Sequence, residues 1–164
     1  MSGGSNFQSD GIREAADIAA PIDPIVARIF DYWQSKRRDG AVPRRADIDP
    51  TELRGLVNHV MLYDVVEPGR LFRIRLVGQA IVDFVGVNNA GKWAHETLPP
   101  GASERMVEIL TSVVVNRAPR FRAGFAYWHL AKAYRRYEAC FLPLLGDGEN
   151  VDKILSGHTF ATEP

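Results

Sequence analysis

The sequence has one cysteine, no excess of either charge and no long apolar run. A lone Cys140 excludes an intrachain disulfide and any multi-cysteine metal site. Twenty Lys and Arg residues balance twenty Asp and Glu residues, for zero formal charge and a pI near 6.9. Duplex-binding domains usually carry a net basic surface, so nucleic acid is not an expected partner. No stretch approaches the roughly 18 apolar residues of a membrane-spanning helix, and membrane insertion is not expected. Residues 1–10 are polar and Gly/Ser-rich, without the basic-then-apolar order of a signal peptide, so a cytoplasmic location is the default expectation. Missing too are a nucleophile elbow, a glycine-rich phosphate loop and a zinc-protease helix. Gly78, Gly86 and Gly91 are too widely spaced for a dinucleotide fingerprint and read as turns. None of the four histidines, His59, His95, His129 and His158, stands four residues from another, so no helical metal pair exists.

What is present is ordinary globular composition, 46% hydrophobic and 24% charged, in 164 residues. That length suits one domain able to bury about two-thirds of its unfolded surface without staples. Residues 1–22 carry no strong period and read as a flexible leader. Asp23 then caps a helix with Pro24 in its first position, and Ile25, Ile29 and Trp33 recur at helical spacing. Lys36, Arg37 and Arg38 fall in its last turn and Gly40 ends it. Asp49-Pro50-Thr51-Glu52 starts a second, short helix with Leu53, Leu56 and Val57. From His59 the period changes to that of strands. Residues 60–66 and 71–77 flank the turn chemistry of Glu67-Pro68-Gly69-Arg70, with Phe72, Ile74 and Leu76 on one face and Arg73 and Arg75 on the other. Short helical turns fill 78–91. A helix over 103–116 carries a stripe of Met106, Ile109, Leu110 and Val113. Residues 120–130, 134–145 and 151–160 are three further strands, the last two joined by Gly146-Asp147-Gly148.

Two strands, a helical crossover and a three-stranded meander resemble a PAS domain. So do particular residues: Tyr32-Trp33, Pro43, Asp47-Ile48-Asp49-Pro50, Leu62-Tyr63-Asp64-Val65, Phe72-Arg73-Ile74-Arg75-Leu76-Val77-Gly78, Asn116-Arg117-Ala118-Pro119, Tyr137-Glu138, Leu142-Pro143-Leu144 and Val151-Asp152-Lys153-Ile154-Leu155. In this joint order, over about residues 25–160, they resemble a PAS-like family common in alphaproteobacteria. The resemblance implies an α+β fold: a five-stranded antiparallel sheet with helices over one face, to which this chain adds an N-terminal helix. It divides the chain into a leader (1–22), a helical extension (23–57) and a PAS-like domain (58–162). It implies a sensor that often dimerises and whose relatives bind haem, flavin, small metabolites or nothing detectable. The light-sensing flavin branch places its cysteine on a crossover helix. Cys140 lies in a strand instead, which argues against covalent flavin. The 103–116 helix lacks the axial histidine of the haem branch, which argues against haem and leaves the cofactor unknown.

Strand parity places Phe121, Ala123, Phe125, Tyr127 and His129 on one face, with Tyr137, Ala139 and Phe141, and with Ile154, Ser156, His158 and Phe160. Taken to face the helices, these give an aromatic wall with a few polar tips, suited to a small molecule or to a packed core. The candidate cavity residues are Phe72, Ile74, Leu76, Met106, Phe125, Tyr127, Tyr137, Phe141, Ile154 and His158. Arg120, Arg122, Trp128, Tyr134, Arg136, Glu138 and Cys140 fall on the opposite face, which the first helix or a dimer mate covers. Trp128, Tyr134, Arg136 and Trp33 are the candidate partner-binding residues. The basic cluster Lys36, Arg37, Arg38, Arg44 and Arg45 is interleaved with Asp39, Asp47 and Asp49, has no stacking aromatic, and reads as a solvated helix end.

The sequence thus describes a sensory module that binds a small ligand, a protein partner or both, catalyses nothing, and has no output domain of its own. A homodimer and a separate signalling protein are the expected partners. The alternatives are a small cavity enzyme, which needs an acid that the proposed wall lacks, and a ligand-free interaction domain with a solid core.

Overall fold

The computed structural model describes residues 15–67, 71–126 and 135–161. Tyr127, Trp128, His129 and Tyr134 lie outside them. In chain order the elements are β1 (Ala16–Ile18), α1 (Pro24–Ser35), β2 (Val60–Glu67), β3 (Leu71–Val77), α2 (Gln79–Val85), α3 (Pro100–Asn116), β4 (Arg120–Phe125), β5 (Arg136–Leu145) and β6 (Val151–Phe160). Short 3-10 turns at Arg45–Asp47, Pro50–Leu53, Val57–His59 and Ala94–Glu96 link them.

The strands form one antiparallel sheet in the order β1-β4-β5-β6-β2-β3. Among the described residues it has six strands, one more than the sequence suggested. The extra strand comes from the segment read as leader and is fixed by charge. Asp17 accepts from Arg120 Nε and Nη2 at 2.9 Å each and from Arg122 Nη1 at 2.9 Å. The two guanidiniums hold the Asp17 carboxyl below its ordinary range.

Helices cover both faces. On the inner face α2 and α3 pack Ile81, Phe84, Ile109, Leu110 and Val113 onto Tyr63, Phe72, Ile74, Phe141 and Ile154. On the outer face α1 lays Val26, Ile29 and Trp33 over Leu62, Cys140, Leu142, Leu144 and Leu155, with Leu53 and Leu56 closing one side. Asp23 caps α1 by accepting from the Ile25 and Val26 N–H groups at 2.8 and 3.1 Å. The buried Glu138 carboxylate accepts from the N–H groups of Ile22 and Asp23 at 2.9–3.0 Å, tying the start of α1 to β5. The helix ends at Ser35, before the three basic residues placed in its last turn. Instead Lys36 pairs with Glu52 at 2.9 Å and Arg37 lies over the Trp33 ring. The crossover helix starts at Pro100, three residues earlier than its periodicity indicates.

Three face assignments change. Trp33 is fully buried, its indole N–H donating to the Pro143 carbonyl at 2.9 Å, so it is an anchor of α1 and not a contact for a partner. Phe121 pairs with Cys140 and Phe125 with Arg136, so the β4 aromatics face outward, whereas Arg120 reaches Glu108 and Ser112 of α3 on the inner side. Leu76 pairs with Leu62 while Ile74 pairs with Tyr63, because a bulge at Arg75 reverses the parity of β3 and turns Leu76 outward.

The approach of α1 to the sheet depends on Gly157. A Cβ there would stand 2.7 Å from Ile29 Cδ1 and 3.1 Å from Cys140 Sγ. Gly157→Val therefore overpacks this seam and is expected to cost about 1–3 kcal/mol in thermal or denaturant unfolding. Ile29→Ala in the same chain should recover part of that cost. Additive losses in the double-mutant cycle would contradict the contact.

Candidate ligand cavity

A cavity of about 450 Å³ lies between the inner face and its helical cover. Its floor is Met61 and Tyr63 of β2, Ile74 and Val77 of β3, Tyr137 of β5, and His158 and Phe160 of β6. Ile81 and Val85 of α2, Ala94 of the Ala94–Glu96 turn and Met106 of α3 form the roof, and Val87, Asn89, Thr97, Leu98 and Pro99 stand toward the half-exposed rim. Alternation places the floor residues: β2 turns Met61 and Tyr63 inward and Leu62 outward, and β6 turns Ser156 and His158 inward around Gly157.

One end of the floor is polar. Ser156 Oγ and His158 Nε2 share a hydrogen bond of 2.7 Å, and the Tyr63 hydroxyl donates to Met61 Sδ at 3.7 Å. Burial pushes the Tyr63 phenol up, so it stays protonated. Burial, helped by the neighbouring His59, lowers the His158 pKa to about 3, so its ring is neutral. His59 Nδ1 also lies 3.2 Å from the His158 carbonyl oxygen. Rings continue the wall: His158 and Phe141 meet edge-on at 5.7 Å, and Tyr137 stacks between His158 and Phe160 at 6.0 and 5.6 Å. Among the described residues no aspartate, glutamate, lysine or arginine lines the cavity.

Of the ten residues that the sequence marked for a cavity, Ile74, Met106, Tyr137 and His158 line it. Phe72, Phe141 and Ile154 are fully buried in the same layer, packed as core. Leu76 and Phe125 sit on the other face, and Tyr127 lies outside the described residues. Of the four marked for a partner, Trp33 is buried. Arg136 is exposed and joins Phe125, Ile22 and Pro24 in a groove beside the start of α1. Trp128 and Tyr134 lie outside the described residues. The sequence reading missed Met61 and Tyr63, which the alternation of β2 marks. It also missed the rim residues, which no period marks. Among the described residues no cluster of His, Cys, Asp or Glu is placed to hold a metal.

A family profile described as "PAS domain" matches residues 23–157. The chain belongs to the PAS domain family. Homologous PAS domains mark it as a sensory or regulatory module. The solved PAS domain of BvgS from Bordetella pertussis is 24% identical, with a TM-score of 0.54 over 69% of this chain and 83% of that one. A domain of an HTR-like protein from Haloarcula marismortui ATCC 43049 aligns at 14% identity and TM-score 0.47, over 63% of this chain and 96% of its own. No curated protein matches the chain. The BvgS likeness agrees with the fold of this PAS domain.

The neutral His158 makes stability depend on pH. The unfolded chain binds a proton near pH 6.5 that the folded one refuses down to about pH 3. This contribution is complete above pH 6.5 and is lost as pH falls toward 3, by about 1.4 kcal/mol per pH unit. Asp17 adds its own loss only below its ordinary value of 3.8. The melting temperature of His158→Phe should therefore fall less steeply than that of the parent from pH 6.5 to 4. Parallel slopes would show that His158 takes up its proton without unfolding.

Proposed function

We propose that this PAS domain senses a small molecule held in the inner cavity and performs no reaction on it. The observation that carries this reading is the cavity itself: a wide apolar space with one ordered hydrogen-bonding end, in a fold whose opposite face is densely packed. Such a site combines apolar area for affinity with a few fixed polar atoms for orientation. Proton-transfer chemistry needs a group poised to gain or lose a proton near the working pH. The buried Tyr63 phenol and the neutral His158 imidazole are held far from that condition.

The route from cavity to surface is short. Ser156 and His158 point to the inner side, where His158 lines the cavity, while Gly157 between them faces Ile29 of α1. Tyr137 lines the cavity while the adjacent Glu138 holds the start of α1. A ligand that shifts β5 or β6 thereby changes the seating of α1, and a separate signalling protein or a second copy reads the outer surface of that helix. The outer face of the sheet is already covered by α1 of the same chain, so pairing runs through α1 and not through bare strands.

Native mass spectrometry of freshly purified protein, followed by denaturation, tests the reading. A small molecule should be retained by the parent and lost from Ile74→Trp, whose indole fills the floor. Ligand at a hundredfold over its Kd should also raise stability by about 2.7 kcal/mol. A retained mass that Ile74→Trp keeps in full would place binding elsewhere.

A further inference from the structure

The chemistry of the cavity wall also selects the ligand. We propose that the cavity takes an uncharged, chiefly apolar molecule with one hydrogen-bonding end, seated against His158, and rejects carboxylates and ammonium ions. The inference rests on the cavity being the sensing site and goes on to specify what it senses.

Three observations converge on it. First, among the described residues no charged side chain lines the space, so a buried carboxylate or ammonium finds no counter-ion among them. Leaving such a charge unpaired in an apolar site is far costlier than leaving a neutral polar group. Among the described lining residues the one group that titrates near neutrality in a free chain is His158, and burial holds its pKa at about 3, so it offers an anion no positive charge.

Second, the polar end is built for one neutral hydrogen bond. His158 Nε2 is committed to Ser156 Oγ. Among the described residues Nδ1 of His158 has no protein partner. A neutral imidazole has one donor and one acceptor nitrogen, and the Ser156 hydroxyl can rotate to serve either tautomer. Nδ1 can thus meet a hydroxyl or a carbonyl, with no change in the number of protons held by the wall. Third, the rest of the floor and roof is aliphatic, thioether or aromatic, with Tyr63 and Tyr137 carrying its hydroxyls. Met61 and Met106 face each other across the space and adapt to irregular shapes.

Competition for a neutral fluorescent probe tests this. N-phenylnaphthylamine, uncharged and brighter in apolar sites, is titrated into the intact chain at neutral pH. It is then displaced by naphthol, naphthalene, naphthoate or naphthylmethylammonium, which share a ring system and differ in charge and polar group. Naphthol should displace the probe at concentrations at least tenfold below those of naphthoate and the ammonium ion. It should also compete about three- to tenfold better than naphthalene, as one net hydrogen bond predicts. That advantage over naphthalene should vanish in His158→Phe, while the discrimination against charge stays. Naphthoate or the ammonium ion competing as well as naphthol would overturn the inference and leave the ligand cavity standing. Equal competition by naphthol and naphthalene in the parent would remove the role given to His158. A folded chain that binds no probe, and whose Ile74→Trp variant behaves identically, would overturn both this inference and the sensing role of the cavity.

Discussion

The central strands β5 and β6 are buried on both faces, and everything else in the molecule answers to that. In β5 all residues from Tyr137 to Leu145 are buried, those of the helical-crossover side alternating with those under α1. Such strands have no solvent side on which to place charge, so each polar group on them must be met within the protein. Glu138 is met by two backbone N–H groups at the start of α1, and Arg122 on β4 by Asp17 and the Ala15 carbonyl. Cys140 is met by nothing ionic. Burial pushes its thiol up to about 12, which leaves it a small apolar filler between β5 and α1.

The two layers resolve the same constraint differently. Under α1 the packing is close enough that Gly157 has no room for a Cβ. On the other side the crossover from Gly86 to Pro99 contains only one 3-10 turn, and it arches over the floor instead of filling it. The space left is apolar, and empty apolar space forgoes the dispersion contacts that a close-packed interior enjoys. A ligand bound there would restore those contacts. The fold thus sets a filled layer and a fillable one back to back, one strand apart, with β5 and β6 shared between them. On the proposed reading, that arrangement is the route by which a binding event beneath the sheet would reach the helix above it.

Much of this was legible in the residues. The capped start of α1 at Asp23-Pro24, the bounds of β3 and β6 and the inward set Tyr137, Ala139, Phe141, Ile154, Ser156 and His158 follow from period and turn chemistry. What was not legible has common physical causes. Alternation locates a buried face only when the other face is wet, and β4 is covered on both. Its arginines point inward because Glu108, Ser112 and Asp17 meet them, and Asp17 comes from a segment with no period of its own. The bulge at Arg75 is a local slip in pairing that leaves the hydrophobic pattern of Phe72, Ile74 and Leu76 intact while reversing where Leu76 points. The roof and rim were hidden because irregular backbone places side chains by tertiary packing alone.

The methionines offer the most direct reading of the central claim. The chain has three, and two of them, Met61 and Met106, line the cavity from opposite sides. Carbon-13 methyl NMR of methionine-labelled protein, titrated with naphthol, reports both walls at once. The account predicts that the Met61 and Met106 methyl signals move together along one saturating curve, and that Ile74→Trp abolishes the response. Binding that leaves both signals unmoved would place the ligand outside the inner layer and contradict the account.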